Sequence, residues 1–320
     1  QGVYMWNDYN GNGIQELQEF EIAPYSDLAI YVRVFLPNQV FVRTHQNKFS
    51  QALNFNFNQW QNESGFKKFA SHFYNQTSFL IDRKIRRNGA NFDLNPFSKE
   101  EEELIGLNTN FRNSLFFNRG KQHHSTTYSF LLNESQNLLS VGSVAAKNQS
   151  HQLQYQHLVK KSWLFNFSGS TTKTESTSEN YPNRNFEIDG YQIEPKIGYL
   201  FSKNASWDIF YEFQQKENQI GAFETLKQTR LGTSFTFNSE KGFSMNGEFS
   251  MYDNMYEGNT LSAVGFQMLE GLQPGKNQTW RLLLQKNLTQ YLDVNINYQG
   301  RNSETSKTIH TGNIQLRAFF

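Results

Sequence analysis

Apolar side chains recur at every second position through much of this chain, and the residues between them are mostly Asn, Gln, Ser and Gly. Leu53, Phe55 and Phe57 alternate with Asn54, Asn56 and Asn58 and run into Trp60, while Leu107, Phe111 and Leu115 are separated by Asn108, Asn110, Arg112 and Ser114. The same period carries through Leu153 and Tyr155, then Trp163, Phe165 and Phe167, then Tyr191, Ile193, Ile197, Tyr199 and Phe201. It returns in Trp207, Ile209, Tyr211 and Phe213, in Leu231, Phe235 and Phe237, and in Phe243, Met245 and Phe249. The last two segments are the cleanest. Leu292, Val294, Ile296 and Tyr298 oppose Asp293, Asn295, Asn297 and Gln299, and Ile314, Leu316, Ala318 and Phe320 oppose Asn313, Gln315 and Arg317.

A period of two places one set of side chains on the front of a strand and the other set on its back. Each segment is about 10 residues, enough to cross a bilayer at the tilt of a membrane barrel and longer than the ~5–6 residues usual in a soluble sandwich. Trp60, Trp163, Trp207, Tyr291 and Tyr298 stand at segment ends, where interfacial aromatic girdles form. The pattern predicts an all-β fold, a transmembrane antiparallel up-and-down β-barrel with about 12–14 strands in this chain.

The connections alternate in length and so give an orientation. Short turns are expected at Asn118–Lys121, Val159–Ser162, Ser202–Ala205, Asn238–Gly242 and Asn287–Gln290, and long polar loops at 84–105, 134–148, 170–186, 214–225, 255–277 and 300–308. In outer-membrane barrels the short turns face the periplasm and the long loops face outside. Keeping that alternation requires Leu261–Leu272 to belong to an external loop, which leaves roughly 13 crossings. The chain then divides into an external N-terminal segment, 1–48, and a barrel, 49–320. Bacterial single-chain barrels have an even strand number. An odd count implies either that earlier strands lie outside this chain or that Val40–Thr44 opens another crossing; counting Leu261–Leu272 as a crossing restores parity but puts short turns on both sides. The final segment, His310–Phe320, reads as the strand that closes the ring.

Composition sharpens this picture. Hydrophobic residues are only 37% of the 320, yet aromatics reach 16%, with 30 Phe and 15 Tyr. Disordered chains avoid aromatics, so rings are being placed on one apolar face of a sheet whose other face is wet. No run approaches the roughly 18 apolar residues of a membrane helix. The net charge of +1 gives no electrostatic case for nucleic acid, and the absence of Cys excludes disulfides and thiolate metal sites. There is no G-x-S-x-G elbow, H-E-x-x-H helix or Gly-rich phosphate loop, so no enzyme is expected.

The stretch DYNGNGIQELQE, Asp8 to Glu19, carries the best local motif. Calcium loops present oxygen ligands at positions 1, 3, 5, 7, 9 and 12, with Gly at 6 for the tight turn. Those positions here are Asp8, Asn10, Asn12, the Ile14 carbonyl, Glu16 and Glu19, with Gly13 sixth. Asn in place of Asp at two ligands lowers the charge and predicts a structural Ca2+ site of modest affinity, nearer the millimolar range of extracellular modules. The alternative for the same residues is an Asn-Gly turn between extended segments. Elsewhere, Arg83, Lys84, Arg86 and Arg87 form a basic cluster suited to lipopolysaccharide phosphate or to ordinary interface anchoring. Glu100–Glu103 reads as solvated loop charge, and the adjacent His123 and His124 point to opposite faces and cannot easily share a metal.

An amphipathic last strand ending in an aromatic ring resembles the assembly signal of bacterial outer-membrane proteins. NRG at 118–120, LEGLQPGKNQTW at 269–280 and YQGRNSETSKTIHTGNIQLRAFF at 298–320 resemble the C-terminal region of large outer-membrane proteins of Bacteroidota. The resemblance implies the bacterial outer membrane and a longer N-terminal part, and implies no activity. Expected partners are outer-membrane lipid and lipopolysaccharide, with protein partners through the external loops and no nucleic acid. Two roles fit: a membrane anchor or subunit of a larger surface machine for transport, secretion or assembly, or a stand-alone porin-like channel for small polar solutes. Inward bulk at Phe116, Leu200 and Phe210 favours the first.

Overall fold

A computed structural model describes residues 2–34, 41–87, 95, 104–120, 123–139, 142–239, 242–289 and 291–318. Two short strands, β1 (Tyr4–Trp6) and β2 (Phe20–Ile22), pair antiparallel near the N-terminus. The main sheet contains thirteen strands: β3 (Thr44–Asn56), β4 (Phe73–Arg86), β5 (Leu104–Phe117), β6 (His124–Leu139), β7 (Gly142–Val159), β8 (Trp163–Ser178), β9 (Phe186–Ser202), β10 (Ala205–Asn218), β11 (Thr225–Ser239), β12 (Phe243–Glu257), β13 (Gly275–Thr289), β14 (Leu292–Ser303) and β15 (Ile309–Ala318). Each pairs antiparallel with its neighbours in sequence, so the topology is an uninterrupted up-and-down meander. Helix α1 (Phe66–Ala70) lies between β3 and β4, and α2 (Ala263–Leu269) lies between β12 and β13.

The alternation is realised as anticipated. Ile197, Ile209, Thr233, Phe249 and Trp280 fall in one cross-strand row, and the next row holds Lys196, Phe210, Gly232, Ser250 and Thr279. The first row belongs to a face on which Phe165, Phe167, Trp207, Tyr211, Leu231, Ile314 and Leu316 are exposed, a surface that lipid would cover. On β9 this apolar stripe runs from Tyr191 to Phe201, about 33 Å of strand or ~24 Å of height at a 45° tilt, close to the ~25 Å belt of outer-membrane barrels. Above it the same face turns polar: Lys173 on β8 pairs with Glu175 and with Glu187 on β9.

Several expectations are corrected. The strands of the main sheet are 10 to 18 residues long rather than uniformly about 10, because their upper parts continue beyond the apolar belt. The stretch 134–148 is not a long loop, since β6 and β7 run through it to meet at Leu139 and Gly142. Likewise β8 continues to Ser178, inside the expected loop 170–186. Leu261–Leu272 is a connection between β12 and β13 rather than a crossing, as expected, and it contains α2. Val40 lies outside the described residues, and the strand that follows begins at Thr44, so no further crossing starts there. Between β3 and β4 the connection spans 57–72, a longer segment on the side of the short turns.

The sheet's edges are β3 and β15, so β15 is paired with β14 alone and does not act as a closing strand among the described residues. With thirteen strands in a meander, β3 and β15 run in the same direction. Joining them directly would make a parallel seam; an all-antiparallel ring needs an odd number of further strands between them.

The sheet curls around residues 2–34. Asp27 pairs with Arg301 on β14, while Phe20 and Tyr31 share a cavity wall with Leu139 of β6 and Val144 of β7. Along a flat sheet, β6 and β14 would stand eight spacings apart, about 38 Å. The chain from Phe20 to Asp27 reaches at most ~25 Å when extended, and it is turned over 24–28. One small body touching both walls requires a concave sheet.

Candidate functional site

The concave, polar face is built by the residues between the lipid-facing ones. At its centre Arg230 on β11 donates to Glu248 at 2.6 Å, to Glu212 at 3.4 Å and to the Ser250 hydroxyl at 3.1 Å, and its guanidinium lies 4.7 Å from the Phe210 ring centroid. Arg281 adds a second ion pair to Glu248 at 3.6 Å. Phe210 fits inward only because residue 232, opposite it, is glycine: a Cβ there would sit 2.3 Å from the ring. Around β4–β6, Ser114 meets Ser129 at 3.2 Å on this face, whereas Asn113, which donates to Thr77 at 2.7 Å, belongs to the outward face. The inward bulk expected at Phe116 is present, with Arg119 stacked 4.9 Å from its ring and 4.3 Å from that of Tyr74.

Toward the long-loop end the same face becomes apolar and receives α2. Ile188 of β9 and Leu226 of β11 enclose Val264, Met268 and Leu269, with Phe186 and Tyr256 at the margin. Ser262 caps the helix by accepting from the Gly265 N–H at 3.0 Å, and Glu270 ends it in the left-handed region at φ 52°. Lys216, on the inner face of β10, donates to the Glu270 carboxylate at 2.6 Å and to the Met268 carbonyl at 3.3 Å, neutralising the helix's negative end.

The N-terminal segment docks beside the helix. Arg301 holds the Asp27 carboxylate with two parallel bonds of 2.6 and 2.7 Å, and its guanidinium stacks 4.0 Å from the Tyr25 ring centroid. Gln299 donates to Ser26 at 3.1 Å. At the other end of the segment Glu21 pairs with Arg184 from the β8–β9 connection, and Tyr9 donates to Glu21 at 3.2 Å. Hydrogen bonding from Arg301 holds the Asp27 carboxyl below the usual carboxylate range. Burial pushes Glu21 up, against the pull of Arg184, and burial together with the Glu21 charge pushes the Tyr9 phenol up.

The calcium-loop residues form a compact turn. The Asp8 carboxylate accepts from the main-chain N–H groups of Gly11 (2.8 Å), Asn12 (3.2 Å) and Gly13 (2.8 Å). Asn10 Oδ1 accepts from Asn12 N–H at 3.0 Å, Asn12 Oδ1 from Ile14 N–H at 2.6 Å, and the Asn10 amide donates to Glu16 at 2.6 Å. Gly13 has φ +70°, the conformation the tight turn demands. Glu19 stands apart in being only 1% exposed. Its Oε2 accepts from the Trp6 indole at 2.7 Å and from Glu16 N–H at 3.4 Å, while Oε1 has no partner. No group of three or more His, Cys, Asp or Glu suited to a metal is found among the described residues.

Strand alternation splits the basic cluster: Arg83 takes one face of β4, and Lys84 and Arg86 take the other. Arg83 is buried and donates to the Asn95 carbonyl at 3.3 Å. His124 hydrogen-bonds Asn118 at 2.8 Å. Glu100–Glu103 lies outside the described residues.

No protein-family model matches this chain, and no curated protein matches it in sequence. Solved structures similar to it include the β-domain of the Bordetella autotransporter Brka (8% identity, 78% of this chain and 92% of that one, TM-score 0.31). The translocator domain of the autotransporter NalP from Neisseria meningitidis is similar at 8% identity (89% and 91%, TM-score 0.29). The transport unit of the autotransporter AIDA-I from Escherichia coli is similar at 10% identity (90% and 93%, TM-score 0.27). These likenesses are low in score; the fold stands on the strand register itself.

Proposed function

We propose that this chain is wall and cap of a bacterial outer-membrane β-barrel that serves as membrane anchor or subunit of a larger cell-surface transport, secretion or assembly complex. The apolar belt of about membrane height supports the location. The observation that carries the role is the occupied mouth: residues 2–34 and α2 both fold onto the concave face and are fastened there by Asp27–Arg301, Glu21–Arg184 and Lys216–Glu270. A free-standing pore for small solutes would leave that face open to water. The two like-running edges fit a wall completed by an odd number of further strands, since unpaired strand edges are not tolerated in hydrocarbon.

Conductance tests this reading. The protein extracted from native membranes and inserted in a planar bilayer is expected to show no steady ion-permeable steps, and Asp27→Ala with Glu21→Ala is expected to introduce them. Stable open steps from the unaltered protein would overturn the anchor role in favour of the channel.

A further inference from the structure

We infer that the loop from Asp8 to Glu19 holds a divalent cation, calcium by its ligand chemistry, with Glu19 as the anchoring ligand. The reading goes beyond the barrel's role and rests on two independent observations. The first is the loop's spacing of oxygen ligands and its fold: Asp8 gathers three successive N–H groups around a glycine of positive φ, closing the turn while Asp8 Oδ2, Asn10 Oδ1 and Asn12 Oδ1 each keep a further lone pair for an ion. The second is Glu19. This carboxylate is 1% exposed and makes no ion pair among the described residues, and while Oε2 is hydrogen-bonded, Oε1 is a buried acceptor with no partner. Such a group calls for a cation or a proton to neutralise it.

The geometry joins the two observations. Glu19 Oε2 takes the N–H of Glu16, the loop's ninth position, which turns the head group toward the loop, and Glu16 is in turn bonded to Asn10 at the third position. Asp8, Glu16 and Glu19 supply three negative charges, and Asn10, Asn12 and the Ile14 carbonyl supply neutral oxygens. The carboxylates do not form a three-acid group as they stand; binding would exchange the Asn10–Glu16 bond for bonds to the ion. An all-oxygen set rich in amide and carbonyl groups suits calcium, whereas magnesium demands a tighter octahedron and zinc prefers nitrogen and sulfur. The consequence is mechanical. Loop and docking residues are continuous from Glu19 through Glu21 to Asp27, so the ion would stiffen the segment that crosses the barrel mouth.

Trp6 provides the readout, because its indole touches the proposed ligand. Terbium added to the detergent-solubilised full chain is expected to give tryptophan-sensitised emission that saturates, is displaced by calcium and resists magnesium. Trp6→Phe is expected to remove the emission while equilibrium dialysis with radioactive calcium still detects binding, and Glu19→Gln to weaken terbium binding about tenfold or more. Unchanged terbium emission in Trp6→Phe, or unchanged terbium affinity in Glu19→Gln, would overturn the site. Should Glu19→Gln fail to fold, proteolysis of residues 2–34 in the unaltered protein decides: cleavage slowed by calcium relative to chelator supports the site, and equal rates reject it.

Discussion

At the scale of single residues, the docked segment depends on a few charges whose pH behaviour can be worked out by sign. Asp27 titrates below its ordinary value, so its contribution to docking is present above that value and fades as acid carries the pH down through the depressed one. Glu21 is shifted the other way by burial, so its protonation begins above the usual carboxylate range and does not by itself release the segment. Docking is therefore expected to persist through mild acid and to fail only when Asp27 protonates; Asp27→Asn should flatten that transition. Because the chain has no native Cys, a fluorophore on Val34→Cys can report the release without interference. Arg301→Ala should weaken docking by about 1–3 kcal/mol, read from the same probe at neutral pH. None of these partners was legible in the sequence. An ion pair across 274 positions leaves no local signature, and the burial of Glu19 follows from tertiary packing rather than from its neighbours in the chain.

At the scale of elements, legibility tracks lipid. Strands such as β9, β10 and β14 were readable wherever their outer face meets hydrocarbon, because that surface requires apolar residues on alternate positions. The β6–β7 hairpin is illegible for the same reason: its upper parts, Asn133–Leu139 and Gly142–Gln149, stand above the belt, where the outer face no longer meets hydrocarbon, so Asn, Gln and Ser enter without strict alternation. Lysine scanning on β8 should reproduce that boundary. Phe165→Lys should cost about 2–4 kcal/mol in a urea titration of the lipid-reconstituted protein, and Thr171→Lys, on the same face but level with Tyr191 at the belt's upper edge, no more than ~1. Helix α2 leaves no period-two signal, since Val264, Met268 and Leu269 follow a helical period. Met268→Ala should loosen α2 by about 2–5 kcal/mol, seen as faster amide exchange over 263–269 with the strands unaffected.

For the whole molecule, the meander order, the strand count and the inside-outside pattern were all available from the sequence, since each follows from one alternation repeated along the chain. The cap was not, because it depends on how far the sheet curls. Its presence divides the concave surface into two zones, an ionic middle around Arg230 and an upper apolar patch under α2. Both zones are built from inward residues of the same strands, so the wall and its cap are one folding problem.

The overshoot of the strands beyond the apolar belt has a consequence of its own. It makes a stiff collar that raises the hairpin tips clear of the acyl chains, so their sequences answer to solvent and to whatever they meet there. Epitope tags inserted between Leu139 and Gly142, or after Ser303, should be tolerated without loss of surface display. Evolutionary drift would accordingly gather on the collar while the hydrocarbon-bathed wall beneath it stays constrained.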